Sequence, residues 1–207
     1  MIPLSPFLCV ITDEALCPVT IAAMALKGGA AMIQLRHKSA SGSQLFSWAV
    51  EIRNQCKNYR SLFIINDRVD IAMASGADGV HLGQQDMPAT VARKLLGKKC
   101  IIGVSASSLE EALQAEKDGA DYIGFGHIYP TLSKEKGFAP LGTKTLQHAA
   151  TFISLPMIAI GGVSPENAAS LISCGASGVA VISAVTRTDD PAMAARELVA
   201  ALKGNNA

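Results

Sequence analysis

SLFIINDRVDIAMASGADGVHLGQQDMP, residues 61–88, holds two short apolar runs, Leu62–Asn66 and Gly79–Leu82. Each is β-rich and each ends in a polar cluster, Asn66-Asp67-Arg68 after the first and Gly83-Gln84-Gln85-Asp86 after the second. Runs of this length bounded by such residues predict strands. Asp67 stands where a helix should follow, and Gly76-Ala77 suits the turn that leads from that helix into the second strand. Strand, helix and strand in this order make a parallel pair joined by a crossover.

The unit recurs in both directions. Phe7–Thr12, Met32–Leu35, Cys100–Val104, Tyr122–Phe125, Pro156–Ile160 and Gly178–Ile182 bring the runs to eight. Helical patterns cover Val19–Lys27, Ser43–Cys56, Ala89–Leu96, Leu109–Asp118, Pro165–Ser173 and Pro191–Leu202, and His148 also falls on a helix. Ser108 before Glu110 and Glu111 marks a helix start, and Pro165 after Ser164 fits a first turn. Gly-Ala pairs at 29–30, 76–77, 119–120 and 175–176 precede four of the runs, a weak internal echo. The expected fold is α/β, a single (β/α)8 TIM barrel spanning residues 1–207, with 204–207 as a frayed tail. A doubly wound open sheet is the alternative, but no strand-linked G-x-G-x-x-G supports it.

Composition agrees with buried parallel strands. Of 207 residues, 49% are hydrophobic, 17% charged and 5% aromatic, with 18 glycines. A net charge of +1 without long charged runs points away from nucleic acid and anionic membrane. Asp13 and Glu14 interrupt the first apolar stretch too early for a secretory signal, and no stretch is long enough to span a membrane. The five cysteines form no C-x-x-C pair, and Cys9 and Cys100 read as small buried hydrophobes. A reducing, cytoplasmic setting is expected. A homo-oligomer is compatible with all of this.

In such barrels the active site sits at the C-terminal ends of the strands. There the sequence places Gln34-Leu35-Arg36-His37-Lys38, Asn66-Asp67, Ser105, His127, Thr131-Leu132-Ser133-Lys134, Gly161-Gly162 and Ile182-Ser183. Alternation puts Gln34 and Arg36 on one side, with Lys38 continuing it if the strand does. Arg suits bidentate contacts to phosphate and Lys a point-charge contact. The other reading is a solvated surface pair. Asp67 and Asp86 lie 19 residues apart, one βα unit, so they end neighbouring strands. They could share one Mg²⁺ beside substrate phosphates, or cap two helices. A glycine turn after strand seven and a serine after strand eight form a phosphate cradle in many barrels, though glycines also make ordinary tight turns. Lys134 lies in a long loop, 129–141, able to close over a substrate or to stay solvated. His81 reads as a core or supporting histidine, and His127 has the best catalytic address of the four histidines.

Taken in order, QLRHK (34–38), NDRVDIA (66–72), ADGVHLGQQDMP (77–88), GVS (103–105), GHIYPTLSK (126–134), AIGGVSPEN (159–167) and GVAVIS (178–183) resemble the thiamine-phosphate synthases over nearly the whole chain. The resemblance implies coupling of hydroxymethylpyrimidine diphosphate to hydroxyethylthiazole phosphate, with pyrophosphate released through a dissociative, Mg²⁺-assisted step. It implies that Gln34, Arg36, Lys38, Asn66, Ser105 and Lys134 hold the diphosphate substrate. Thr131, Ser133, Gly162, Ile182 and Ser183 would hold the thiazole phosphate, Asp67 and Asp86 the metal, and Leu35, His37 and Leu132 would also bind substrate. Arg36, Lys38, Ser105 and Lys134 are the implied catalytic set. Ser107 stands where many relatives have His, and Ser133 where many have Thr.

Three other readings attach to the same residues. The family includes thiazole tautomerases in which a histidine at the position of His127 is catalytic, although some synthases carry it too. A barrel that only binds thiazole phosphate would not need Asp67 and Asp86 together with Arg36, Lys38 and Lys134. A Schiff-base aldolase using Lys38 or Lys134 is a more remote possibility.

Overall fold

The structure, a computed structural model, describes residues 1–3, 6–14, 16–131 and 137–204. Its strands are β1 (Phe7–Ile11), β2 (Met32–Leu35), β3 (Leu62–Asn66), β4 (Gly79–Leu82), β5 (Ile101–Ala106), β6 (Tyr122–Gly126), β7 (Met157–Ile160) and β8 (Gly178–Val181). Each pairs in parallel with its sequence neighbour, and β8 returns to β1 to close the barrel. Closure rules out the doubly wound sheet. The expected runs match these strands to within two residues at either end.

Seven helices alternate with the strands: α1 (Pro18–Lys27), α2 (Gly42–Tyr59), α3 (Val69–Ser75), α4 (Ala89–Leu96), α5 (Leu109–Lys117), α6 (Gly142–Ala150) and α7 (Pro165–Ser173). After β8 come α8 (Ser183–Thr186) and α9 (Pro191–Leu202). Helices α3, α6 and α8 fall outside the six helical stretches bounded from sequence, although a helix was expected after Asp67 and at His148. At 4 residues α8 is too short for the 3.6-residue period to stand out.

Ser108 caps α5 by accepting from the Glu111 N–H at 3.2 Å, and Pro165 opens α7, where the Asn167 side chain accepts from the Ser164 N–H at 2.9 Å. The four Gly-Ala pairs do end helices. In each, the alanine N–H bonds back five residues, Ala30 to Ala25, Ala77 to Ala72, Ala120 to Ala115 and Ala176 to Leu171, at 3.0–3.2 Å. This is the Schellman closure, and it needs the glycine at positive φ.

The period of two along each strand divides the core into two layers. Phe7, Cys9, Ile11, Met32, Ile64, Ile101, Tyr122 and Ile158 fill the barrel interior. Leu8, Val10, Ile33, Leu35, Phe63 and Ile65 pack outward under the helices. Burial pushes the thiols of Cys9 and Cys56 up to about 12, so both are inert at neutral pH. Cys9 is buried as expected, but Cys100 precedes β5 and is only half-buried. At the N-terminal end of the barrel, Asp78 accepts from the Phe63 N–H and pairs with Arg53. Asp121 likewise accepts from the Ile102 N–H and pairs with Arg93. Those carboxylates are structural, which leaves the opposite end for chemistry.

Candidate active site

The C-terminal ends of the strands surround a cavity of about 480 Å³, a size that suits small-molecule ligands. Gln34, Arg36, Lys38, Asn66, Asp86 and Ser105 all line it, and Thr131 and Ile182 line its far side. A smaller adjoining cleft of about 40 Å³ shares Thr131, Gly161 and Ile182 with it and adds Gly162, Ser183 and Ala184. The structure thus brings residues from all eight strand ends around adjoining spaces.

Strand β2 stops at Leu35, so the turn after it, rather than strand alternation, carries Arg36 and Lys38 into the cavity. Leu35 is 1% exposed in the layer beneath the helices, on the face opposite Gln34. His37 packs its ring on Trp48, centroids 5.0 Å apart. Among the described residues, neither Leu35 nor His37 belongs to the cavity wall. Leu132, Ser133 and Lys134 lie outside the described residues.

Asp67 and Asp86 face one another across neighbouring strand ends. Helix α3 is capped at Arg68 and α4 at Pro88, neither through a side chain, so the two aspartates are not the helix caps that spacing alone allowed. Asp67 forms an ion pair with Lys38. Its backbone is left-handed, φ 61°, and its N–H donates to the His81 carbonyl at 2.8 Å. Non-glycine residues rarely hold this conformation, and aspartate is among the few that tolerate it. Asp86 accepts from the Gly83 N–H at 2.7 Å. Burial first, then the nearby Asp67 carboxyl, raises the Asp86 carboxyl above its ordinary range, against the pull of the Gly83 N–H and Lys38. Two carboxylates that repel in this way are what a hard divalent cation relieves. Among the described residues no cluster of three or more His, Cys, Asp or Glu could hold a metal. Two carboxylates therefore fit a cation that completes its shell with water and substrate phosphate, as Mg²⁺ does, better than one needing an all-protein cage.

A polar chain runs beneath the cavity floor. The His81 ring contacts the Ser105 Oγ through Nε2 at 2.9 Å and the Tyr122 hydroxyl through Nδ1 at 3.0 Å. The Gln34 side chain also bonds to Tyr122, while burial drives the Tyr122 phenol well above its ordinary value. His81 is thus the supporting histidine expected from its place inside a strand. Gly124 leaves it room: a Cβ there would lie 2.9 Å from His81 Cε1. Gly124→Val is expected to destabilise the fold by about 1–3 kcal/mol through overpacking, measurable by urea denaturation. A stability equal to wild type would mean that His81 moves aside freely.

Sequence reading placed Gln84 in the polar cluster after β4 without giving it a role, and missed Glu111 and Phe138 as contributors to the wall. Gln84 donates from Nε2 to the Ser105 carbonyl at 2.6 Å. Glu111 accepts from the Ser107 N–H and hydroxyl at 2.6 and 2.8 Å. Phe138 packs against His127 with the rings tilted, centroids 5.0 Å apart. Glu111 looks like an ordinary first-turn acid of a capped helix, so only the packing reveals its second position on the cavity. At Gly162 the structure adds a requirement for glycine to the one expected. Its φ is +64°, and a Cβ would come 2.5 Å from the Pro130 carbonyl and 2.6 Å from the Tyr129 Cβ. The glycine admits the chain after β6, so a side chain there would displace that segment.

A family model described as thiamine monophosphate synthase matches residues 8–185. The thiamine-phosphate synthase of Chlorobium limicola is 59% identical over 205 residues, covering 99% of this chain and 98% of that protein. That of Chlorobium phaeovibrioides is 62% identical over 199 residues, covering 96% and 95%. The structure of thiamine phosphate pyrophosphorylase from Pyrococcus furiosus superposes with a TM-score of 0.89 at 41% identity, covering 95% of each chain.

Proposed function

The chain belongs to the thiamine monophosphate synthase family, a family of transferases in thiamine biosynthesis, and from that premise we propose how its cavity makes thiamine phosphate. The reaction joins hydroxymethylpyrimidine diphosphate to hydroxyethylthiazole phosphate. The bond between the pyrimidine methylene carbon and the diphosphate oxygen breaks, and its electron pair leaves with pyrophosphate. The thiazole nitrogen lone pair then forms the new C–N bond, so no strong general base is needed. One observation carries this reading: Arg36, Lys38 and Asp86 line one cavity, with Asp67 held beside it against Lys38 and Asp86, and that cavity adjoins the cleft at Gly162 and Ser183.

In this reading Arg36 grips the diphosphate oxygens through its fork of donors, and Lys38 places a point charge beside them. Lys134 adds to them by resemblance. Ser105, held by His81, offers a hydroxyl to the same substrate, and Gln34 and Asn66 bind its polar edges. Asp67 and Asp86 hold Mg²⁺, which supplies charge neutralisation to the departing pyrophosphate. Gly162, Ile182, Ser183 and Thr131, with Leu132 and Ser133 by resemblance, receive the thiazole phosphate. Leu35 and His37 act through the backbone that carries Arg36 and Lys38. The whole chain works as one domain on small phosphorylated substrates in the cytoplasm. No described helix is long and apolar enough to cross a membrane.

Incubation with both phosphorylated precursors and Mg²⁺ should yield thiamine phosphate, detected by mass, with stoichiometric pyrophosphate. Isomerised thiazole phosphate, formed without diphosphate or metal and with no coupled product, would overturn the reading in favour of a tautomerase.

A further inference from the structure

We propose that Thr12, Asp13 and Glu14, at the end of β1, are positioning residues that hold the two phosphate-binding ends of the site through separate contacts. The Thr12 side chain is fully buried. Its hydroxyl donates to the Arg36 carbonyl and accepts from the Arg36 N–H, both at 2.9 Å, and its own N–H donates to the Gln34 carbonyl at 3.0 Å. One side chain therefore satisfies both backbone groups of Arg36 where β2 has already ended. Two residues on, Glu14 accepts from the Lys38 N–H at 2.9 Å and from the Ser39 hydroxyl at 2.8 Å. Arg36 and Lys38 are thus pinned by their backbones, while both side chains line the cavity, that of Lys38 paired with Asp67.

Asp13 points the other way along the chain. It is 8% exposed and accepts from the Thr186 hydroxyl at 3.0 Å, with Arg187 Nε 4.0 Å away. Thr186 ends α8, the short helix whose first residues, Ser183 and Ala184, line the smaller cleft. Among the described residues, none of Thr12, Asp13 and Glu14 lines either space. Their effect on substrate must pass through Arg36, Lys38 and the start of α8. The inference rests on the synthase reading, which names the substrate at each end.

The test is a split in Michaelis constants on the full chain. Thr12→Val keeps shape and removes the hydroxyl. It is expected to raise KM for the pyrimidine diphosphate about tenfold, because two polar groups of Arg36 lose their partner. KM for the thiazole phosphate should stay within about twofold, and Thr12→Ser should restore the first constant. Thr186→Val should show the opposite selectivity. Should Thr12→Val fail to fold, Glu14→Ala, at an exposed position, gives the same directional test, and Glu14→Gln should rescue it by keeping an acceptor for Lys38. Equal changes in both constants, or none in either, would overturn the positioning role. A wild-type enzyme that makes no thiamine phosphate would instead overturn the function on which the inference rests.

Discussion

Asp67→Asn and Asp86→Asn are each expected to lower turnover about a hundredfold while the barrel stays folded. The carboxamide matches the carboxylate in shape but removes one unit of hard negative charge from the proposed Mg²⁺ site. If each carboxylate accounts for about 3 kcal/mol of the charge neutralisation in the transition state, turnover falls by about two orders of magnitude. Both variants should also need more Mg²⁺ to reach half-maximal rate. Thermal melting separates this from misfolding. Without metal the two carboxylates oppose each other, and that opposition, after burial, raises the Asp86 carboxyl. Removing one charge relieves it, so the metal-free variants should melt no lower than metal-free wild type. Wild-type turnover with unchanged Mg²⁺ dependence in both variants would sink the metal assignment.

The barrel was legible in the sequence because its strands are buried on both faces. Phe7–Ile11, Leu62–Asn66 and Met157–Ile160 read as continuous apolar runs in any numbering register. Each also stops at a residue with a job at the rim, so candidates such as Asn66 and Ser105 could be picked from position alone. What was not legible depends on the path of the chain beyond the strand ends. Alternation explained Gln34 but not Arg36 or Lys38, which reach the cavity through a turn held by Thr12 and Glu14 from 24 residues earlier. Such long-range side-chain-to-backbone bonds leave no periodic mark. Glu111 was hidden for the same reason: its role as a first-turn helix residue accounts fully for its presence, and only the fold turns it toward Ser107. Gly162 was recognised as necessary from its place in the chain; that its missing side chain also makes room for Tyr129 and Pro130 could be seen only in the fold.

Lys38→Met and His127→Ala together separate the two reactions this cavity could support, with opposite orders of severity. Lys38 lines the cavity and pairs with Asp67, and its side chain remains about half exposed, at 52%. In coupling, negative charge gathers on the departing pyrophosphate, so a cation there binds the transition state more strongly than the ground state. Removing it should lower kcat for coupling by about 10²-fold at saturating substrates, beyond any loss of affinity. Lys134→Ala should act in the same direction. His127 is 6% exposed and packed against Phe138 at the cavity wall. Coupling asks it only to shape the pocket, so His127→Ala should cost no more than about tenfold, the effect of a lost packing contact worth about 1.4 kcal/mol. Isomerisation of the thiazole phosphate has no leaving group and needs a group that carries a proton near neutral pH, which is what an imidazole supplies. There the histidine change would be the severe one and the lysine change the mild one. Assaying both variants for coupled product and for thiazole-phosphate isomerisation reads the order directly. If His127→Ala abolishes the only measurable activity while Lys38→Met retains it, the cavity is not using its cations to release pyrophosphate and the synthase mechanism is wrong.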